Sequence, residues 1–392
     1  MEFEYWWLVG FPLFFGLGWL AARIDIKHLL TESRALPRSY FKGLNFLLNE
    51  EPDKAIEAFI EVVKVDRETV ELHYALGSLF RRRGEYDRAI RMHQNLIDRA
   101  DLSAEQRLAA LFELGQDYLK AGILDRAEDV FNRLRVGTLA TEARVFLLEI
   151  YQAEKEWQKA IDMAAEIDAD PSESRAREIA HFYCELAAFE ATHSRPAEAR
   201  VHLQAALAAN RKCVRASVQQ GDLERSAGNL DLAITNWKRI ETQDPAYLAL
   251  VAQRLLDAFR DTGRLEEGLT LLSGHLERFP SLDLLDTVFQ YTLDTKGAEA
   301  AYTLVRDELR RNPTLLGLDR LLEAQIAGAS SSERRRDLEL VKNLVHSHAR
   351  RLARYRCATC GFRARQFHWH CPACGGWETY PPRRSEEFDP AG

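Results

Sequence analysis

Cysteine is scarce in this chain: there are six among 392 residues, and four of them fall between 357 and 374. So few cannot staple a chain of this length, which excludes a disulfide-rich secreted fold. A positive balance is missing as well. The net charge is −7, which argues against a nucleic-acid binder over most of the surface. Charge is absent altogether from Tyr5 to Ala22, YWWLVGFPLFFGLGWLAA, and no Lys or Arg precedes that run. Hydrophobic residues at 46% and charged residues at 29% describe a folded chain rather than a disordered one, long enough for several domains or one extended array.

The uncharged run is the length of a membrane span: as an α-helix it rises about 27 Å at ~1.5 Å per residue, against a hydrocarbon core of about 30 Å. Trp6 and Trp7 at one end and Trp19 near the other suit the two interfaces. A cleaved signal peptide would need a positively charged start, whereas this chain opens with Glu2 and Glu4; a buried soluble helix is the other alternative. Arg23, Lys27, Arg34, Arg38 and Lys42 follow the run. The positive-inside rule then puts the N-terminus outside and everything after residue 22 in the cytoplasm. Cysteines there stay reduced, which favours a metal site over disulfides.

Beyond residue 36 a phrase recurs near a 34-residue period: a small residue, an aromatic, then an alanine followed four positions later by a bulky side chain. Gly43, Phe46, Ala55 and Phe59 form one copy; Gly77, Phe80, Gly84, Ala89 and His93 the next; Gly115, Tyr118, Gly122, Ala127 and Phe131 a third, after an insertion around Leu102 to Glu105. Tyr151, Trp157 and Ala160 mark a fourth. Looser copies run through Ala199 and Leu203, through Gly221, Gly228, Ala233 and Trp237, and through Phe259, Gly263, Gly268 and Leu272, with a degenerate one over 282–312. The pattern resembles the tetratricopeptide repeat, a pair of helices per unit stacked into a superhelix. Small residues let the helices cross closely, and Gly84 and Gly122 fall between helices, where the chain needs φ > 0. Such positions hold an array together and are not ligands; what the array supplies is a surface for peptide or protein partners. Cys184 and Cys213 lie singly in these helical patterns and read as buried free thiols.

GASSSE at 328–333 interrupts the array, with Ser332 as a helix cap. RRRDLELVKNLVHSHARRLARY then reads as a helix with Leu338, Val341, Leu344, Val345 and Leu352 on one side. The segment from Glu333 to Arg384 holds twelve Lys/Arg and four Asp/Glu, so it carries +8 and the rest of the chain −15. A basic segment of this kind docks on the acidic body or on another acidic partner, or binds an anionic ligand or nucleic acid.

CATCGFRARQFHWHCPACGGW, residues 357–377, places Cys357-x2-Cys360 and Cys371-x2-Cys374 ten residues apart. Two such pairs present four thiolates to one ion, a closed tetrahedral site for zinc or iron. Gly361 and Gly375 follow the pairs, where φ > 0 lets backbone N–H groups aim at sulfur. Four cysteines fill the tetrahedron and leave no position for a catalytic water. His368 and His370 are substitute ligands that a complete set does not need. Cys-x2-Cys-Gly-Phe and Cys-Pro-x-Cys-Gly resemble rubredoxin knuckles, with a spacer too short for the sheet and core of a rubredoxin. The aromatics Phe362, Phe367, Trp369, Trp377 and Tyr380 exceed what so small a module buries, so their surplus is expected to pack on the array.

These parts make an all-α architecture with a small metal module: an anchor over 1–22, a juxtamembrane linker over 23–35, an array of about eight helix pairs over 36–327, a connecting helix over 328–355, a four-cysteine module over 356–380 and a tail over 381–392. With YFKGLNFLLNEEPDKAIEAF at 40–59 and C-x2-C-G-F…W-H-C-P-x-C-x2-W at the end, this order resembles the lipopolysaccharide assembly protein B family of Gram-negative bacteria across essentially the whole chain. The resemblance implies a non-enzymatic inner-membrane adaptor that restrains lipopolysaccharide synthesis, acting with the membrane protease FtsH to promote degradation of the deacetylase LpxC and opposed by a lipopolysaccharide-sensing membrane protein. It implies one zinc or iron ion on Cys357, Cys360, Cys371 and Cys374, with that module packed on the repeats, and homodimerisation is compatible with it. A rubredoxin-like electron carrier and a nucleic-acid-binding zinc ribbon are the rival readings.

Overall fold

A computed structural model describes residues 51–65, 70–167, 175–352 and 354–384, with 15, 19, 41–43, 45–46 and 49 before them. The expected anchor, apart from Phe15 and Trp19, and the juxtamembrane linker lie outside the described residues. Among the described residues no helix is long and apolar enough to cross a membrane. The chain divides at Ile150 into two compact units.

The first unit contains α1 (Pro52–Val65), α2 (Val70–Arg82), α3 (Tyr86–Ile97), α4 (Ala104–Lys120), α5 (Leu124–Arg133) and most of α6 (Ala140–Ala153). The second holds α7 (Trp157–Ile167), α8 (Ala176–Thr192), α9 (Pro196–Ala209), α10 (Val214–Ser226), α11 (Leu230–Lys238), the single turn α12 (Ile240–Gln243) with a 3-10 stretch over Pro245–Val251, α13 (Ala252–Asp261), α14 (Leu265–Arg278), α15 (Leu282–Lys296), α16 (Ala298–Arg311), α17 (Leu315–Ala327) and α18 (Ser332–Leu352). A two-stranded antiparallel ladder follows, β1 (Tyr355–Arg356) on β2 (Arg363–Ala364), with Tyr355 opposite Ala364.

The repeat positions act as their chemistry suggests. Gly115 and Gly221 sit where two helices of a pair cross: a Cβ there would come within 2.8 Å of the Phe131 ring and 2.2 Å of Trp237. Both aromatics are fully buried. His93 occupies the matching position opposite Gly77, and its burial is made tolerable by Asp117, whose Oδ2 lies 2.5 Å from His93 Nδ1 while Oδ1 accepts from Arg81 at 2.7 Å. The insertion after the second copy supplies a cap: Ser103 Oγ accepts from Gln106 N, and Gln106 Oε1 accepts from Ser103 N, the reciprocal capping box of α4.

The short turns that follow α2, α4, α6 and α8 close the same way. Glu85 N donates to Phe80 O, Ile123 N to Tyr118 O, Glu156 N to Tyr151 O, and Arg195 N to Glu190 O, each at 2.9 Å. This is the Schellman closure, and its penultimate residue is left-handed. Gly84 and Gly122 hold that position at φ 77° and 76°, but Lys155 and Ser194 hold it at φ 60° and 59°. A Cβ in that conformation costs about 1–2 kcal/mol. Lys155→Gly and Ser194→Gly are therefore each expected to stabilise the second unit by roughly 1 kcal/mol after the entropy cost of glycine, read as a raised denaturation midpoint in urea; an unchanged or lowered midpoint would contradict the strain argument.

Two expectations need correction in the last helices. The α18 cap is Ser331, whose Oγ accepts from Arg334 N at 3.3 Å; Ser332 is already helical. The apolar side of α18 also divides. Leu338 and Val345 are half-buried and Ala349 is buried, whereas Leu340, Val341 and Leu344 are exposed. Instead of only connecting, α18 packs along α17, where Lys342 pairs with Glu323 at 3.1 Å and His346 Nδ1 lies 3.0 Å from Asp319 Oδ2.

Candidate metal centre and its seat on the array

The two knuckles repeat one backbone device. Gly361 N donates to Cys357 O at 3.0 Å and Gly375 N to Cys371 O at 2.9 Å, with φ 76° and 68° at the glycines. Cys357 N donates to Phe362 O and Cys371 N to Gly376 O, both at 2.9 Å. Each loop thereby turns its two sulfurs to one side. All four Sγ atoms lie within 4.8 Å of one another, with Cys357 Sγ 3.8 Å from Cys374 Sγ and Cys360 Sγ 3.7 Å from Cys371 Sγ. Cys357 and Cys371 are buried; Cys360 and Cys374 face solvent.

So close a set does not ionise evenly by itself. Burial works against the Cys357 thiolate, but the Thr379 hydroxyl and the N–H groups of Cys360 and Thr359 outweigh it and bring that thiol down to about 6. Cys374 goes the other way: the Gly376 N–H favours its thiolate, yet burial and the other sulfurs push it up to about 12. A bound cation removes this conflict, because it favours the thiolate at every position at once. The donor set and its spacing fit a soft divalent ion. His368 lies edge-on to Tyr380 and His370 lies against Trp377, so neither belongs to the sulfur cluster.

The knuckles are seated on the second unit by the aromatics between and after them. Trp377 stacks on His181 of α8 with ring centroids 4.9 Å apart, meets Trp157 and Phe182 edge-on, and donates Nε1–H to Gln152 Oε1 at 3.1 Å. Glu378 is left-handed, φ 52°, and in that conformation its carboxylate reaches His181 Nε2 at 3.0 Å and Arg177 Nε at 3.5 Å. Trp369 lies flat on Tyr247, centroids 5.4 Å apart, and Phe367 packs edge-on beside it. Asp283 at the start of α15 ties both ends of the module, accepting from Tyr355 Oη at 2.7 Å and from Arg384 Nη2 at 2.5 Å. Burial, then Asp283, raise the Tyr355 phenol.

Surplus aromatics therefore do pack on the array, with two exceptions. Tyr380 is fully buried inside the module, its Oη 3.9 Å from Cys371 Sγ, and Phe362 is 43% exposed. His181, Tyr247, Asp283 and Gln152 carry no local signal in the sequence; each acts through a partner more than a hundred residues away, or in Asp283's case seventy-two away at Tyr355 and further at Arg384. Nor are Cys184 and Cys213 solitary. Their Sγ atoms are 3.9 Å apart in the buried space between α8 and α10. Burial, reinforced by Cys213, holds the Cys184 thiol well above its usual range.

Comparison with known proteins is consistent with both parts. The rubredoxin metal binding domain family matches residues 355–382, and the tetratricopeptide repeat family matches 42–103, 79–137 and 190–247. Over 380 residues, 95% of this chain and 96% of the relative, the sequence is 36% identical to lipopolysaccharide assembly protein B of Escherichia coli (strain K12). The protein of the same name from Haemophilus influenzae is 29% identical over 390 residues, 96% of this chain and 98% of that one.

Proposed function

Because the chain belongs to the lipopolysaccharide assembly protein B family, we propose that it is an adaptor in lipopolysaccharide assembly that promotes FtsH-dependent proteolysis of the deacetylase LpxC at the inner membrane. Similarity along nearly the full length of both chains is the observation that carries this reading, since it includes the repeats and the metal module together. Cys357, Cys360, Cys371 and Cys374 hold one zinc or iron ion, which supplies cross-linking rather than an open coordination position. The repeats offer the partner surface, and the aromatic seat fixes the module on them. The uncharged run at 1–22 anchors the protein with its soluble part in the cytoplasm, which raises the local concentration of a membrane protease and its client around it. A lipopolysaccharide-sensing membrane protein opposes it, and the adaptor works as a monomer or a homodimer.

Depleting the protein while following LpxC in a pulse-chase is expected to lengthen the deacetylase's half-life several-fold; an unchanged half-life would sink the proposal. Deleting residues 1–22 should have nearly the same effect as depletion if confinement to the membrane matters. Neither the electron-carrier nor the nucleic-acid reading is favoured, because relatives similar over nearly the whole chain carry the lipopolysaccharide assembly name and the module's aromatics are largely engaged with the array.

A further inference from the structure

Cys184 and Cys213 lie outside the four-sulfur cluster. Both are fully buried with their Sγ atoms 3.9 Å apart, one in the middle of α8 and the other the N-cap residue of α10. Their surroundings are small and apolar, with Ala180, Ala199 and Ala216 in the same cluster. Among the described residues no third His, Cys, Asp or Glu comes close enough to complete a metal site with them. Two thiols in contact have one chemistry that neither has alone, oxidation to a disulfide, for which the sulfurs close from 3.9 Å to about 2.05 Å.

The two sulfurs are not equivalent. At Cys213 the Cys184 S–H donates to the sulfur and outweighs burial, and the Ala216 N–H at the start of α10 adds to it, so this thiol lies below its ordinary value while that of Cys184 lies above. A thiolate at a helix N-terminus is the attacking member of such a pair. A way in exists beside it: Lys212 and Val214, on either side of Cys213, line a cavity of about 720 Å³ whose other walls include Tyr247, Trp377 and Glu378.

Both helices also carry the seat of the metal module. One turn before Cys184, His181 stacks on Trp377. Two residues after Cys213, Arg215 lies with its guanidinium carbon 5.9 Å from the Trp377 ring centroid, and its Nη2 donates to the carboxylate of Glu185, the neighbour of Cys184, at 2.8 Å.

We propose that Cys184 and Cys213 are a reversible dithiol–disulfide pair, oxidised by hydroperoxides, that ties together the two helices on which the metal module sits. The Cys213 thiolate attacks the O–O bond and becomes a sulfenic acid as hydroxide leaves; the Cys184 sulfur then displaces the sulfenic oxygen, and its proton leaves with that oxygen as water. Two thiols and one hydrogen peroxide give one disulfide and two waters, the sulfurs supplying both electrons. A dithiol reductant reverses the step. In a reducing compartment the resting form is the dithiol, and a disulfide of this kind is transient. The pair stands on α8 and α10 alone and does not depend on which process the protein serves.

The test treats the full-length, metal-loaded protein in a nonionic detergent with hydrogen peroxide, followed by alkylation and tryptic mapping without reduction. Cys184 and Cys213 fall on different tryptic peptides, since Arg200, Arg211 and Lys212 lie between them. The expected product is a linked pair of those peptides, formed while metal content is unchanged and lost on adding dithiothreitol. Amide exchange over α8 and α10 should slow about tenfold or more in the oxidised form, because openings that separate the two helices are then blocked. With Cys184→Ala, dimedone is expected to trap a sulfenic acid at Cys213, whereas Cys213→Ala should leave Cys184 largely unlabelled. The mapping on the unaltered protein needs no substitution and decides alone if either alanine variant unfolds. A link that is absent, or present only in molecules that have lost their ion, would overturn the proposal, as would unchanged exchange on α8 and α10 or labelling of Cys184 in preference to Cys213.

Discussion

Replacing Cys357 and Cys360 by Ser is expected to release the metal and unseat the module from the array. The reason is size. Among the described residues of the module, regular structure amounts to one two-residue ladder and the isolated bridge from His370 to Trp377. Its own buried cluster is Tyr355, Cys357, Ala364, Cys371 and Tyr380, two of which belong to the four-sulfur cluster. A core of that size cannot offset the ordering entropy of some thirty residues, whereas a structural zinc site contributes on the order of 10–16 kcal/mol at neutral pH. Without the ion the aromatic seat has no scaffold. The measurable outcome is stoichiometric loss of metal, rapid proteolysis between residues 353 and 384, and a red shift of tryptophan emission as Trp369 and Trp377 meet water. Protease resistance equal to the parent's would show that the seat holds the module without its ion. Fragments of the array, by contrast, should survive, because the repeat cores do not include the cysteines of the module.

Trp377→Ala separates docking from metal binding. The indole is stacked on His181, touches Trp157 and Phe182, and satisfies Gln152. Trp377 is half-buried, so its truncation costs toward the lower end of the about 3–5 kcal/mol of a core aromatic, which shifts a docked-to-undocked equilibrium by on the order of a hundredfold. Because Trp377 is not a ligand, the ion should remain bound. The expected pattern is full metal content with faster amide exchange over both 354–384 and the α8 surface around His181. Retained protection on α8 would place the docking energy elsewhere, on Trp369 and Asp283. The pair of variants also orders cause and effect: losing the ion is expected to undo the seat, while losing the seat leaves the ion in place.

Much of this was legible in the chain because it is local. Gly115 with Phe131 and Gly221 with Trp237 are close packing encoded at a fixed spacing, and the left-handed turns at Gly84 and Gly122 announce themselves by residue type. The cysteine knuckles are local too, since a two-residue spacer and a following glycine nearly dictate the loop. Where a residue without the telltale type performs the same task, as Lys155 and Ser194 do, the turn is real but unmarked. Ser331 rather than Ser332 caps α18 because three serines in a row leave the boundary to the packing of the helix on α17.

The sequence by itself determined the repeats, the four-thiolate cluster and the excess of aromatics around it, because each depends on periodicity, spacing or composition within a few dozen residues. Only the tertiary structure decided what those aromatics are for. It brought Trp377 to His181, Trp369 to Tyr247 and both ends of the module to Asp283, brought Cys184 to Cys213, and turned Glu378 onto His181 and Arg177. Pairings of that kind depend on how far each repeat rotates against the next, and small rotations summed along a stack leave no mark at any single residue.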